Sequence, residues 1–149
     1  MDPRDFLLVA RNLFNNATPG HYRTAINRSY YASYNVAANL LEKSGVRIAK
    51  NATGHGEVSK CLGNCGISDL EEAQSKLSIL ANQRIKADYR LNDSTTEKNA
   101  NALKAIVTSE NLIKMFDSYA SNAKKKEIAN GVQKYKSKIS SASKPLPKS

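Results

Sequence analysis

The sequence contains no tryptophan and is poor in the residues that build metal and redox sites. It has two cysteines and two histidines, whereas a structural zinc site usually needs four closely spaced ligands. Cys61 and Cys65 stand in a C-x3-C spacing, and His55 is the only histidine nearby. Two interpretations of the cysteines stay open: a metal or redox role, or two small half-buried residues at a helix end that stay reduced.

The sequence also lacks a long apolar run. No segment approaches the roughly 18 apolar residues that a membrane-spanning helix needs. The first residues, MDPRDFLLVARN, carry acids where a signal peptide would carry a basic leader. With 40% hydrophobic and 24% charged residues, the composition is that of a globular protein. The sequence therefore predicts a cytoplasmic protein without a membrane segment.

Acidic residues are scarce at the end of the chain, so most of the net charge of +10 lies in that segment. Residues 120–149 hold eight lysines against a single acid, Glu127, whereas the first 119 residues hold 15 bases and 12 acids. A chain of 149 residues is long enough for one domain with a core. We therefore expect a helical domain over 1–119 and a basic, partly disordered tail over 120–149. The tail is either a solvated terminus or an arm that binds polyanions.

Helix signals recur along the chain. Asp2 followed by proline predicts a first helix to about Asn16, and Thr18 followed by proline predicts a second, over about 19–44, that Gly45 ends. A short third helix is expected over about 55–63.

Two capping-box patterns predict the remaining helices. Ser68-x-x-Glu71 predicts the start of a fourth helix, and Ser94-x-x-Glu97 that of a fifth, to about Tyr119. Nothing alternates with the period of a strand. The sequence thus predicts an all-α fold, an antiparallel bundle of four or five helices that pack in sequence order.

The second predicted helix carries the stretch RSYYASYN, residues 28–35. At helical spacing Arg28, Tyr31 and Asn35 share one face, whereas Tyr30 points toward the core. A guanidinium, a phenol and an amide on one face are typical of a site for a phosphate or a nucleotide base. The same face is equally suited to be the polar seam of a helix pair.

The segment RIKADYR in the fourth predicted helix offers a similar face. Arg84 and Asp88 lie four residues apart and can form a local ion pair, with Tyr89 next in the chain. Alternatively, Asp88 orients Arg28 across the bundle or holds a partner subunit.

Three stretches together, YRTAINRSYYASYNVAANLLEKSG, GHGEV and RIKADY, resemble the HEPN superfamily, named for higher eukaryotes and prokaryotes nucleotide binding. The resemblance covers about residues 5–115. It is fairly specific because an Arg-x-Tyr-Tyr-Ala element is combined with a downstream Ala-Asp-Tyr. The resemblance implies an all-α domain of prokaryotic toxin–antitoxin or defence systems, commonly a homodimer, often encoded beside a minimal nucleotidyltransferase that acts as its partner.

Active members of that superfamily are metal-independent ribonucleases, so no metal and no cofactor is expected. Their site is an arginine followed, after four to six residues, by a histidine. By position Arg28 matches the arginine, and Asn35 stands where the histidine would be. Asparagine positions a phosphate or a base but does not exchange the proton that RNA cleavage requires.

Two hypotheses follow from this difference. In the first, the chain is a ribonuclease toxin or defence effector in which Arg28 stabilises phosphate charge, Asn35 and Tyr31 position RNA, and His55 helps with proton transfer. In the second, it is a non-catalytic module that binds RNA, a nucleotide or a nucleotidyltransferase partner. Arg84, Asp88 and Tyr89 are further candidates for contacts with RNA or a nucleotide.

Overall fold

All regular structure is helical in the computed structural model, which describes residues 1–143 and 145–148. The elements are α1 (Asp5–Phe14), α2 (Pro19–Lys43), α3 (Thr53–Gly63), α4 (Ser68–Tyr89), a 3₁₀ turn (Ser94–Glu97), α5 (Asn99–Asp117) and α6 (Asn122–Ala142). The prediction of an all-α fold is confirmed. The predicted number of four or five helices is corrected to six, because part of the expected tail is helical.

The start and end of α2 follow from the residues at its ends. Thr18 has extended backbone and its hydroxyl accepts a hydrogen bond from the backbone N–H of His21, while Pro19 occupies the first helical position. Gly45 follows the last turn with a φ of +89°, a conformation that favours glycine. These two signals fix the longest helix of the chain.

Helix α2 is the centre of the molecule and contacts every other helix. Its most extensive neighbours are α5, α1 and α4, so the helices do not pack simply in sequence order as predicted. Small residues bring α2 and α5 close together. The hydroxyl of Ser33 donates to that of Ser109, which donates to the carbonyl of Ser29, and all three residues are buried.

A buried arginine ties α2 to the end of α4. Arg23 is 8% exposed and donates to Glu97 through Nε and Nη2, at 2.9 and 2.8 Å. Its remaining bonds go to five backbone carbonyls: those of Lys86, Ala87, Arg90, Leu91 and Asp93. One guanidinium thus satisfies the carbonyls at the C-terminus of α4 and fixes the turn that follows.

The segment expected to be a tail contains α6, which packs on the bundle. Ile128 and Val132 on this helix are fully buried. A Cβ added to Gly131 would lie 2.0 Å from the carbonyl oxygen of Cys65, so the absence of a side chain lets α6 approach the loop between α3 and α4. Lys144 and Ser149, which also belong to the predicted tail, lie outside the described residues.

Cys61 and Cys65 are both buried, and burial raises the pKa of each thiol. Within the described residues no group of three or more histidine, cysteine, aspartate or glutamate side chains is placed to hold a metal ion. None of the helices described in the structure combines the length and apolar character needed to cross a membrane.

Candidate functional site

Three elements bring the candidate residues together: the middle of α2, the first turn of α3 and the second half of α4. Gly54 sets the approach of α3, since a Cβ there would lie 2.2 Å from the carbonyl oxygen of Ala49 and 3.0 Å from the hydroxyl of Tyr34. This close contact places His55, the next residue, against the tyrosines of α2.

An aromatic cluster forms around His55. The Nδ1 atom of His55 shares a hydrogen bond of 2.6 Å with the hydroxyl of Tyr30. The ring of Tyr34 stacks on the imidazole, with centroids 4.1 Å apart, and Tyr31 approaches it edge-on at 6.1 Å. Among the hydrogen bonds of the described residues, that of Nδ1 is the one that His55 makes through its ring, so Nε2 is the ring nitrogen without a partner.

Arg84 completes the cluster from α4. Its guanidinium carbon lies 5.3 Å from the ring centre of Tyr30 and 5.5 Å from that of Tyr31, which is a cation–π arrangement with both rings. The Nε atom is buried and has no hydrogen-bond partner within the described residues. Nη1 lies 3.7 Å from a carboxylate oxygen of Asp88, too far for a strong bond. The predicted local pair therefore leaves part of the guanidinium free.

Burial and the arginine charge determine which groups titrate. Burial, and then the positive charge of Arg84, lower the pKa of His55, so the imidazole is neutral at pH 7. Burial raises the pKa of Tyr30 to about 12, although Arg84 acts in the opposite direction. Burial also raises the pKa of Tyr34, with a further contribution from Glu42. The cluster thus presents a neutral imidazole beside a fixed positive charge.

A surface depression of about 250 Å³ opens beside the cluster. It is lined by the aromatic pair Tyr34 and His55 and by Asn35, Asn39 and Lys50, among others. The side-chain nitrogen of Asn35 donates to the carbonyl of Tyr31 at 2.8 Å. This bond fixes the amide at the edge of the depression.

The other predicted site residues lie outside the cluster. The guanidinium carbon of Arg28 lies 5.3 Å from the ring centre of Phe6 in α1. Both carboxylate oxygens of Asp88 accept hydrogen bonds from the amide of Asn27, at 3.1 and 2.8 Å, so Asp88 is held by Asn27 and Arg84 and not by Arg28. The side chain of Tyr89 is 73% exposed at the end of α4.

Two residues of the cluster were not expected from the sequence. The sequence predicts Tyr30 in the core, and it is buried, but its hydroxyl also holds His55. The sequence predicts no role for Tyr34. Tyr34 lies four residues after Tyr30, so both rings lie on one side of α2. This spacing could have indicated Tyr34, but the prediction of a site rests on the face of Arg28 and Asn35 instead.

Comparison with protein-family models, with curated proteins and with solved structures found no match for this chain.

Proposed function

We propose that this chain is an RNA-associated protein of the HEPN type from a prokaryotic toxin–antitoxin or defence system. The observation that carries the proposal is Arg84, a cation whose guanidinium lies against two tyrosine rings and keeps an unpartnered Nε. It belongs to a cluster of which His55 and Tyr34 line an open depression. The 3.7 Å contact of the Nη1 atom of Arg84 with Asp88 is too long for a strong hydrogen bond, so a bound anion can compete for this guanidinium. A phosphate offers the oxygens that a guanidinium binds best.

Aromatic and amide groups of the cluster and of the depression beside it suit the rest of a nucleotide. Tyrosine and histidine rings provide stacking surfaces for unpaired bases, each worth about 1–3 kcal/mol. Asn35 lies at the edge of the same depression as His55, where its amide oxygen can accept from a base or a 2′-hydroxyl. We therefore assign single-stranded RNA as the ligand.

A second candidate function, metal-independent RNA cleavage, is favoured by the bond between His55 and Tyr30. In the tautomer whose Nδ1–H donates to the hydroxyl oxygen of Tyr30, the neutral imidazole has an unprotonated Nε2 that can act as a general base for a 2′-hydroxyl. Arg84 would stabilise the charge that develops on the phosphate. His55 would in this way take the role of the histidine that Asn35 replaces.

Arg28 has a different place in this proposal. It lies over Phe6 of α1, at one end of the α2 face that carries Tyr31 and Asn35. A homodimer that pairs this face would bring two copies of Arg28 to one RNA strand. A minimal nucleotidyltransferase is the alternative partner for the same face.

The binding test uses fluorescence anisotropy with a labelled single-stranded RNA. Arg84→Gln should weaken binding by at least about 10-fold, and Arg84→Lys should fall between Arg84→Gln and wild type, since lysine keeps the charge but loses the planar fork. Arg90→Gln, which removes an exposed charge from the end of the same helix, is the matched control and should change affinity little. Equal affinities for all four proteins, or no binding by wild type, would contradict the proposal.

The cleavage test uses the same RNA in EDTA. Cleavage that resists EDTA and is lost in both Arg84→Gln and His55→Ala supports the enzyme. Arg28→Ala reports whether Arg28 takes part. Binding without cleavage supports the non-catalytic module. In that case Asn35→His, which puts a histidine at the superfamily position, should introduce cleavage if the rest of the site is intact.

A further inference from the structure

A second depression, of about 210 Å³, lies on α2 next to the candidate site. It is lined by Arg4, Asn39, Lys43, Asp117 and Lys125, together with apolar side chains of α2 and α5. Its only acid is Asp117, whose carboxylate pairs with Arg4. Once this pair is set aside, the positive charge of the depression comes from Lys43 of α2 and Lys125 of α6.

Asn39 connects this depression to the candidate site, because it lines both. Asn35, Asn39 and Lys43 follow each other at intervals of four residues and form one polar stripe on α2. From Asn35 to Lys43 the stripe runs about 12 Å, given a rise of 1.5 Å per residue. This length accommodates about four nucleotides of a stacked strand at ~3.4 Å each.

Helix α6 holds its lysines in fixed positions relative to this stripe. Ile128 and Val132 are buried, and Gly131 packs against the carbonyl of Cys65, so the first half of α6 is anchored to the bundle. Lys136 lies eleven residues after Lys125, which is three helical turns, and therefore shares its side of α6. There Lys136 lines a further depression together with Arg47.

We propose that Lys43 and Lys125 form a binding groove for the phosphate backbone of the same RNA strand, continuing the candidate site along α2 toward α6. The inference rests on the proposed function, since it takes single-stranded RNA as the ligand. Each lysine that contacts a phosphate releases counterions, so the groove increases affinity without selecting a sequence. It also extends the length of RNA that the protein covers beyond the His55 cluster.

The test compares Lys43→Gln/Lys125→Gln with Lys134→Gln/Lys138→Gln, a control that removes the same charge from the opposite side of α6. For an RNA of about 12 nucleotides, the groove variant should bind about 10-fold more weakly at 0.1 M salt. The slope of log K against log salt should fall by about 1.4, which is ~0.7 per lost phosphate contact on a single strand. For an RNA of about 2 nucleotides, which at ~3.4 Å each is too short to reach from Asn35 to Lys43, the change should stay below about 2-fold.

Each other outcome has a distinct meaning. If wild type binds neither RNA, the proposed function fails and the groove fails with it. If wild type binds but both double variants lose the same affinity, the lysines act only through net charge and the groove alone is overturned. The groove is also overturned if wild type binds and the groove variant retains full affinity and salt dependence. Circular dichroism of all variants checks that these surface substitutions leave the fold intact.

Discussion

At the scale of single residues, Arg23 and Arg84 are two partly buried arginines with opposite environments. Arg23 is saturated with a carboxylate and five carbonyls, whereas Arg84 keeps an unpartnered Nε. A buried cation with all its partners inside the chain holds the fold together. The guanidinium of Arg84 has no strong partner among the described residues, which is why Arg84 and not Arg23 enters the functional proposal.

Replacing Arg23 should destabilise the protein strongly. Arg23→Met leaves Glu97 without its partner and five carbonyls with fewer donors, so we expect a loss of about 3–5 kcal/mol in the free energy of unfolding. This loss is measured by urea denaturation that is monitored by circular dichroism. Lys76→Gln, at an exposed ion pair with Glu72, is the control and should change stability by less than about 0.5 kcal/mol. A loss below about 1 kcal/mol in Arg23→Met would contradict the assigned role.

His55 should give the protein a defined dependence on pH. Its pKa is lowered in the folded state by burial and by Arg84, so the unfolded chain takes up the proton first as the pH falls. The stability that neutral His55 contributes is therefore fully present above pH 6.5, the ordinary value for histidine, and is lost as the pH falls from there toward the folded pKa. In the variant His55→Gln this part of the pH dependence should be absent.

The comparison is made by urea denaturation of both proteins from pH 7.5 to 5, a range of about one unit or more on each side of the histidine pKa. The difference in the free energy of unfolding between the two proteins at each pH cancels the contribution of the carboxylates that both contain. NMR titration of His55 in Arg84→Gln should show the pKa raised from that in wild type, but only partly restored because burial remains. A parallel pH dependence in wild type and His55→Gln would contradict the assignment.

At the scale of elements, the positions at which helices start are easier to predict than the contacts that the residues at those starts make. Ser94 and Glu97 have the spacing of a capping box, yet they form a 3₁₀ turn capped by Asp93, and α5 begins at Asn99. Glu97 instead binds Arg23, which lies 74 residues away in the chain. Local spacing predicts that a helix starts near such a pattern, but it contains no information about a distant partner that competes for the acid.

Helix α6 was not predicted because its lysines dominate the composition. Its apolar positions are few, and Ile128 and Val132 are the two that reach full burial. A lysine-rich segment with only two such residues has the composition of a solvated terminus. Their burial depends on a surface formed by other elements, including the backbone of Cys65, which the segment itself does not reveal.

Gly131→Ala should loosen α6. The added Cβ would meet backbone atoms of Cys65 at 2.0 and 2.9 Å, and backbone cannot yield as a flexible side chain can. We expect a destabilisation of about 1–3 kcal/mol and faster amide hydrogen exchange confined mainly to α6. Gly20→Ala is the matched control because a Cβ there meets nothing within 4 Å. Unchanged exchange in α6 of Gly131→Ala would show that the close contact does not hold the helix.

At the scale of the whole molecule, the sequence was sufficient for the helical class and for naming several residues that the fold brings together. Stop and start signals act over a few residues, and Tyr31, His55 and Arg84 were singled out and do lie together. The pairing of Tyr30 with His55 and of Asp88 with Asn27 could not be foreseen. These contacts depend on how α3 and α4 are rotated against α2, which close approaches such as that at Gly54 determine.

Removing α6 tests whether the expected division of the chain near residue 119 marks an independent domain. A chain that ends at Ala120 loses the burial of Ile128 and Val132, worth about 1.5–3 kcal/mol each before the entropy of ordering α6 is subtracted. We expect a net loss of about 2 kcal/mol in urea denaturation. A chain that ends at Ser143 is the control and should unfold like the full chain, since residues 145–148 are exposed. Equal stability of all three chains would mean that α6 is appended to a bundle that is complete without it. A loss in the shorter chain alone would make α6 part of the folded domain.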